Sequence, residues 1–397
     1  MISSKPLDQV TEADLQDLIT FRVAERKTLD YKRDLPRASS ADRDKFLANA
    51  SSFANTSGGD LVFGVNAPSG TGEPTSIPGL DLPRPEDEKL RLEQFLQSGL
   101  RPALPRHDMR YFQLSSGRFV LILRIWQSWI GPHRVGEHGP FYARNSAGKY
   151  QLDVGQLRQA FGLSESISQR MGAFRVERIA RVYADELPAL VEEGPRLHIM
   201  IATPSAFVPF PELDVADAMN RAFADRGDNF GHQAFAPFSH TGSWGQFINL
   251  EGRVVVPTTA GGQPAGRSYI QIHRSGILET LWLLPRSDVE YNRQIIRLIP
   301  GDGWVPNLLQ LLPSYIAGLV RLGVPLPFFA AFSFLSVKGL RLAGPQYSHT
   351  TRAFDRDQVV LPDIYFESAP TDIRPLIKRS LDMLWNAVGE EQNPYVT

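Results

Sequence analysis

Residues 51–66, SSFANTSGGDLVFGVN, constrain this chain more than any other stretch. They set small and apolar residues at helical spacing against a Gly-Gly pair, and then change abruptly to a β-type run. From Asp42 onward, DRDKFLANASSFAN places Phe46, Leu47, Ala50, Phe53 and Ala54 along one helical face. Gly58 and Gly59 follow as left-handed stop residues, and DLVFGVN reads as a strand. The order decides the chemistry. A phosphate-cradling loop needs a strand, then glycines, then Lys-Ser/Thr opening a helix, so that N–H groups at a helix N-terminus meet the anion. Here the helix comes first, which puts the glycines at a helix C-terminus whose partial negative charge repels phosphate. The pair is expected to turn a helix into a strand and to touch no phosphate.

The rest of the chain sorts into two parts. At 397 residues it exceeds the roughly 250 that one core usually serves. Thr11 is an N-cap for a first helix through Leu15, Leu18 and Ile19. KTLDYKR alternates, with Leu29 and Tyr31 on one face and Asp30 and Lys32 on the other. EDEKLRLEQFLQSGL reads as a charged helix, DMRYFQLSSGRFVLILRIW as a hairpin, and DVGQLRQAF as a closing helix capped by Asp153. The polar stretch LSESISQRMG is expected to be a linker. Beyond it, RLHIMIATP, GRVVVP, RSYIQIHRSGILETLWLLP, PFFAAFSFLSVKGLRL and DQVVLPDIYFES predict strands. LDVADAMNRAFA, PNLLQLLPSYIAGLVRLG and IRPLIKRSLDMLWNAVG predict helices, with Pro313 as a kink or a boundary. The expected fold class is α/β (α+β), with a first domain at 10–165 and a second α+β domain of unknown role, for dimerisation or sensing, at 172–397.

Composition narrows the chemistry. With no cysteine, there is no disulfide, thiolate metal site or cysteine nucleophile. A formal net charge of −1 excludes a protein that coats nucleic acid by bulk electrostatics, so any such role belongs to local patches. MISSKPLDQVTEADL lacks a signal-peptide pattern, and residues 323–337 are too short and too proline-broken to span a bilayer. Cytoplasmic residence is the expectation.

Three constellations carry possible chemistry. In ERKTLDYKR, Glu25 and Asp30 are carboxylates suited to a hard divalent metal, and Lys32 shares the Asp30 face to meet a scissile phosphate. The alternative is a solvated strand face. Arg22, Arg26, Lys27, Lys32, Arg33 and Arg37 crowd one segment, and Arg101, Arg106, His107, Arg110, Arg124, His133, Arg134, Arg144 and Lys149 punctuate the later strands with Tyr111, Trp126, Trp129, Phe141 and Tyr142 between them, which suits phosphate contact with base stacking. The alternative is a mixed-charge surface over core aromatics. In the second part, His273 and Glu279 have no metal spacing and no evident partner, and are expected to be structural.

Glu25 through LDYK, then FANTSGGDLVFGV, RPALP, GRFVLILRIWQSWIGPH and FYARNSAGKYQLDVGQLRQAF, in that order, resemble the Schlafen-type AlbA-like domain over about residues 10–165. The resemblance implies a nucleic-acid-binding mixed sheet with helices, and in animal Schlafens a ribonuclease with three acidic residues. Glu25 and Asp30 stand at two of those positions, while Asn66 and Ala67 stand where the third acid belongs. It further implies Glu25, Asp30 and Lys32 as catalytic residues, Mg²⁺ or Mn²⁺ held by Glu25, Asp30 and Asn66, and a homo-oligomer that pairs two modules. Some relatives carry the description of ATP-binding transcriptional regulators, which the helix-first glycine order disfavours.

The leading expectation is a nucleic-acid binder, for RNA or tRNA or for DNA without sequence specificity, with phosphate contacts from Lys32, Arg33, Arg124, His133, Arg134 and Arg144. The alternatives are a metal-dependent endoribonuclease acting on tRNA or other RNA, and a protein-interaction, regulatory or defence component.

Overall fold

The computed structural model describes residues 5–68, 70–207, 213–223, 243–259, 262–263, 266–291, 293–345, 350–370 and 372–396. Two units are distinguished by their contacts, Met1–Ser166 and Ile167–Thr397.

In the first unit, α1 (Glu12–Thr20) begins at a full capping box, in which Thr11 and Asp14 exchange side-chain and backbone bonds. Strand β1 (Leu29–Lys32) pairs in parallel with β2 (Gly59–Phe63). Between them runs α2 (Ser40–Ala54), capped by Ser39. Then come α3 (Pro85–Gly99), β3 (Leu100–Arg101), β4 (His107–Gln113) and β5 (Phe119–Ile125), followed by β6 (Arg134–Val135), β7 (Tyr142–Asn145) and β8 (Gly148–Gln151). The main sheet has the order β1-β2-β5-β4. β3 pairs with β6, and β7 with β8.

Helices cover both faces of this sheet. Leu61, Phe63, Leu121 and Leu123 meet Phe46, Leu47 and Phe53 of α2 on one face. Leu29, Tyr31, Val62, Val120 and Ile122 meet Leu15 and Leu18 of α1 on the other. This explains why FVLIL, residues 119–123, reads as an unbroken apolar run, since a strand buried on both faces has no polar side. Each such fully buried side chain contributes about 2 kcal/mol of transfer free energy.

The Gly-Gly pair performs the expected turn. The Gly58 N–H donates to the Phe53 carbonyl at 2.9 Å, closing the end of α2. Gly58 has φ +68° and Gly59 φ +153°, and a Cβ on Gly59 would lie 2.5 Å from the Thr28 carbonyl oxygen. Only glycine meets both demands.

Helix α4 (Val154–Tyr183) runs through the expected linker, so that LSESISQRMG is helical, and the division between the units falls inside it. Its interspersed Leu163, Ile167 and Met171 sustain helical spacing through the polar residues, and Ile167 is buried.

In the second unit a large sheet has the order β10-β11-β12-β13-β9-β16-β19. Its strands are β9 (Arg196–Ala202), β10 (Ser243–Ile248), β11 (Gly252–Thr258), β12 (Ser268–His273), β13 (Leu278–Leu283), β16 (Phe328–Leu335) and β19 (Gln358–Val360), with β20 (Ile364–Phe366) also on β16. A second sheet has the order β14 (Ser287–Tyr291), β15 (Gln294–Pro300), β17 (Arg341–Ala343) and β18 (Thr350–Ala353). The helices are α5 (Ala218–Ala222), α6 (Val305–Arg321) and α7 (Arg374–Asn386). α5 is shorter than LDVADAMNRAFA predicts, and Ala224 lies outside the described residues. Pro313 sits within α6, which runs on as one helix. β16 is an interior strand, paired with β9 on one side and with β19 and β20 on the other.

Candidate functional site

β1 is an outer strand of its sheet, and Leu29 and Tyr31 are spent on the α1 side. Asp30 and Lys32 therefore face the α2 side, as the alternation of LDYK predicts. There a cleft of about 520 Å³ opens among β1, α2, the following loop and the β7–β8 hairpin. Its cations are Lys32, Arg37, Lys45, Arg144 and Lys149. Its acids are Glu25, Asp30, Asp34 and Asp42, and Phe46 and Phe63 contribute apolar lining.

Asp30 is 5% exposed and carries two cations. Lys32 donates to Oδ1, and Arg144 Nη1 lies 2.8 Å from Oδ2 as an ion pair without a squarely aimed N–H. Burial alone would raise the pKa of Asp30, but the Lys32 and Arg144 charges outweigh it and hold the carboxyl below its usual range. Arg144 is itself fixed. Its guanidinium lies 4.2 Å from the Phe53 ring centroid, and its N–H donates to Thr56 Oγ1 at 3.0 Å. Glu25 is half-buried, with Oε1 accepting the Tyr31 N–H at 2.9 Å, and its own N–H donates to the Gly72 carbonyl. Burial, reinforced by the neighbouring Asp30 charge, pushes its carboxyl above the usual range.

Lys149 Nζ reaches the Lys45 carbonyl oxygen at 3.4 Å. Desolvation lowers its pKa first, and the positive charges of Lys32, Arg144 and Lys45 lower it further. An ammonium surrounded by like charges marks a place where an anion is favoured.

Several expected contacts are elsewhere. Arg124 is committed to Asp60, Nε to Oδ1 at 2.7 Å and Nη2 to Oδ2 at 2.9 Å, with Nη1 on the Lys5 carbonyl, and it does not line the cleft. His133 is fully buried between the Pro102 carbonyl, 2.8 Å from Nδ1, and Asn55 Oδ1, which accepts its N–H at 2.6 Å. Burial pushes its pKa down, which favours the neutral ring, and phosphate cannot reach it. Arg134 is half-buried on β6, Arg33 is exposed just past β1, and neither lines the cleft. Asn66 turns its amide to Thr75 Oγ1 at 3.4 Å and does not join Glu25 and Asp30.

The donor set does not fit a resident divalent metal. Such a cation takes about six or more oxygen ligands, whereas both Asp30 oxygens face internal cations, one Glu25 oxygen is spent on Tyr31, and Asn66 is absent. Among the described residues, no three His, Cys, Asp or Glu side chains gather as a metal group.

Lys45 and Asn49 escaped the sequence reading, although their i, i+4 spacing puts them on one face of α2 with Asp42. In the second unit the missed feature is the environment of Glu279, which is fully buried. It accepts from His198 at 3.1 Å, Tyr269 at 2.9 Å and His273 at 2.9 Å, and Arg178 of α4 lies 2.8 Å away. Desolvation would raise its pKa, but the two histidine hydrogen bonds, then the His198 and Arg178 charges, bring it well below the usual range. Period-two alternation in β12 and β13 puts these partners on one face, yet His198 arrives from a strand 81 residues distant.

No curated protein matches the chain. Among solved structures, the DIP2311 protein from Corynebacterium diphtheriae is similar at 16% identity and TM-score 0.25, over 36% of this chain and 26% of that one. The N-terminal domain of a RecG-related protein from Nitrosomonas europaea is similar at 23% identity and TM-score 0.27, over 35% of this chain and 88% of that domain. The chain thus spans about a quarter of the length of the first. The later part of the chain matches no family model. Residues 25–153, which begin at Glu25 and contain the whole cleft, match the family described as Schlafen, AlbA_2.

Proposed function

We propose that the first unit binds the phosphate backbone of nucleic acid in this cleft, RNA or tRNA in preference to a specific duplex sequence. The observation that carries the reading is the convergence of Lys32, Arg37, Lys45, Arg144 and Lys149 on one cleft, where like charges repel one another and desolvation, then those charges, lower the Lys149 pKa. A phosphate relieves that repulsion. A further feature supports a recessed strand over a read duplex: the cations are drawn from a strand, a helix, a loop and a hairpin, and are not aligned along one helix for a major groove. The match to the Schlafen, AlbA_2 family agrees with a nucleic-acid role. No described helix is long and apolar enough to cross a membrane.

The test is fluorescence anisotropy with the full chain and labelled single-stranded RNA, tRNA and DNA of matched length at low salt. Saturable binding that weakens with salt and is lost on Lys45→Glu with Lys149→Glu is expected. Absence of binding to all three, or binding indifferent to both charge reversals, refutes the proposal.

A further inference from the structure

We infer that Lys32 and Arg144 act as resident cations in the place a divalent ion takes beside paired carboxylates, so that the cleft receives phosphate directly on protein cations with no bridging metal. Only the RNA arms of the test below rest on the proposed nucleic-acid binding.

The inference starts from Asp30. Its carboxylate is the most buried acid of the cleft, and both oxygens are taken, one by Lys32 and one by Arg144. Arg144 is not a mobile counterion. Its side chain is 4% exposed, stacked on Phe53 and tied through its backbone to Thr56 at the end of α2. A divalent ion entering here has to displace a buried guanidinium from the Asp30 carboxylate and then stay beside it, which costs both desolvation and like-charge repulsion. Glu25 offers it one oxygen not already bonded to Tyr31. The cations also leave a surplus. Lys149 lines the same cleft with no carboxylate within ion-pairing distance among the described residues, and five lining cations against four lining acids leave the field positive with Asp30 ionised. A metal increases that field, whereas a phosphate discharges it. Asp30 is therefore a positioning residue for two cations, and its removal acts in the opposite direction from the removal of a metal ligand.

Three measurements on the full chain decide this. First, Mn²⁺ is titrated into the protein alone and followed by electron paramagnetic resonance. No saturable uptake is expected up to about 1 mM, the weak end of carboxylate sites, and one equivalent bound in wild type but lost in Glu25→Gln overturns the inference. Second, RNA affinity is compared in EDTA and in Mg²⁺ at matched ionic strength. Agreement within about twofold is expected, against at least tenfold, about 1.4 kcal/mol, if a metal bridges the contact. Third, Asp30→Asn frees Lys32 and Arg144. RNA affinity is expected to rise, with the salt slope steeper by about 0.7 per added phosphate contact on a single strand, whereas a fall in affinity with the fold intact by circular dichroism contradicts the inference. If Asp30→Asn does not fold, the two wild-type measurements decide. If no RNA binds at all, the proposed function fails, and the Mn²⁺ titration still decides whether the carboxylates hold a metal.

Discussion

Removing both rim ammonium groups, Lys45→Ala with Lys149→Ala, separates an electrostatic cleft from a structural one. Lys45 is exposed on α2, and Lys149 meets a backbone carbonyl and the Tyr142 ring, so the double variant strands no buried carboxylate and changes folding stability by less than about 0.5 kcal/mol. Its effect belongs to binding. Each phosphate contact on a single strand contributes about 0.7 to the slope of log affinity against log salt, so a fourfold rise in salt weakens each contact about 2.6-fold. Two lost contacts therefore make the wild-type advantage shrink about sevenfold between about 50 and 200 mM salt. Fluorescence anisotropy with a labelled single-stranded RNA at the two salt concentrations measures that ratio. A deficit equal at both salts means that the lysines act through shape, and no deficit at either means that the nucleic acid binds elsewhere. Both results refute the reasoning.

Three further outcomes follow from named contacts. Gly59→Ala forces a Cβ to 2.5 Å from the Thr28 carbonyl at φ +153°, and urea denaturation is expected to show a loss of about 2 kcal/mol or more. Glu279→Ala leaves the Arg178 guanidinium without its buried partner and His198, His273 and Tyr269 without their shared acceptor; a loss of about 3–5 kcal/mol in the unfolding of the second unit is expected, and a neutral result contradicts the network. For Glu25 the folded pKa is raised, so its ionised form costs stability once pH exceeds the unfolded value, and Glu25→Gln removes that cost. Thermal melts are expected to show the variant gaining on wild type as pH rises from about 4 to 7 and equal to it below, whereas a pH-independent offset contradicts the assignment.

The main sheet and its helices were legible because local and tertiary signals coincide there. Phe46, Phe53 and the Gly-Gly turn give α2 and β2 from spacing and backbone chemistry alone, and LDYK shows which side of β1 faces the cleft. That the linker is helical is less legible, because its polarity masks Leu163, Ile167 and Met171, which keep the helical period. The site was half legible. Charge type is visible in sequence but its partner is not. Arg124 and Arg144 read alike as basic residues on strands, yet register places Arg124 opposite Asp60 and the hairpin brings Arg144 to Asp30. His133 was misjudged for the same reason, since only the tertiary fold buries it between Asn55 and Pro102. Glu279 and His198 lie 81 residues apart, and no periodicity spans that separation.

The central claim is that nucleic acid lies in the cleft of the first unit. Photo-crosslinking of a thiouridine-containing RNA to the full chain, with the attached peptides read by mass spectrometry, tests it most directly. The account predicts adducts on the segments that line the cleft, residues 30–49 and 144–149. Adducts confined to the surface around Arg124 or to residues beyond 166 contradict it.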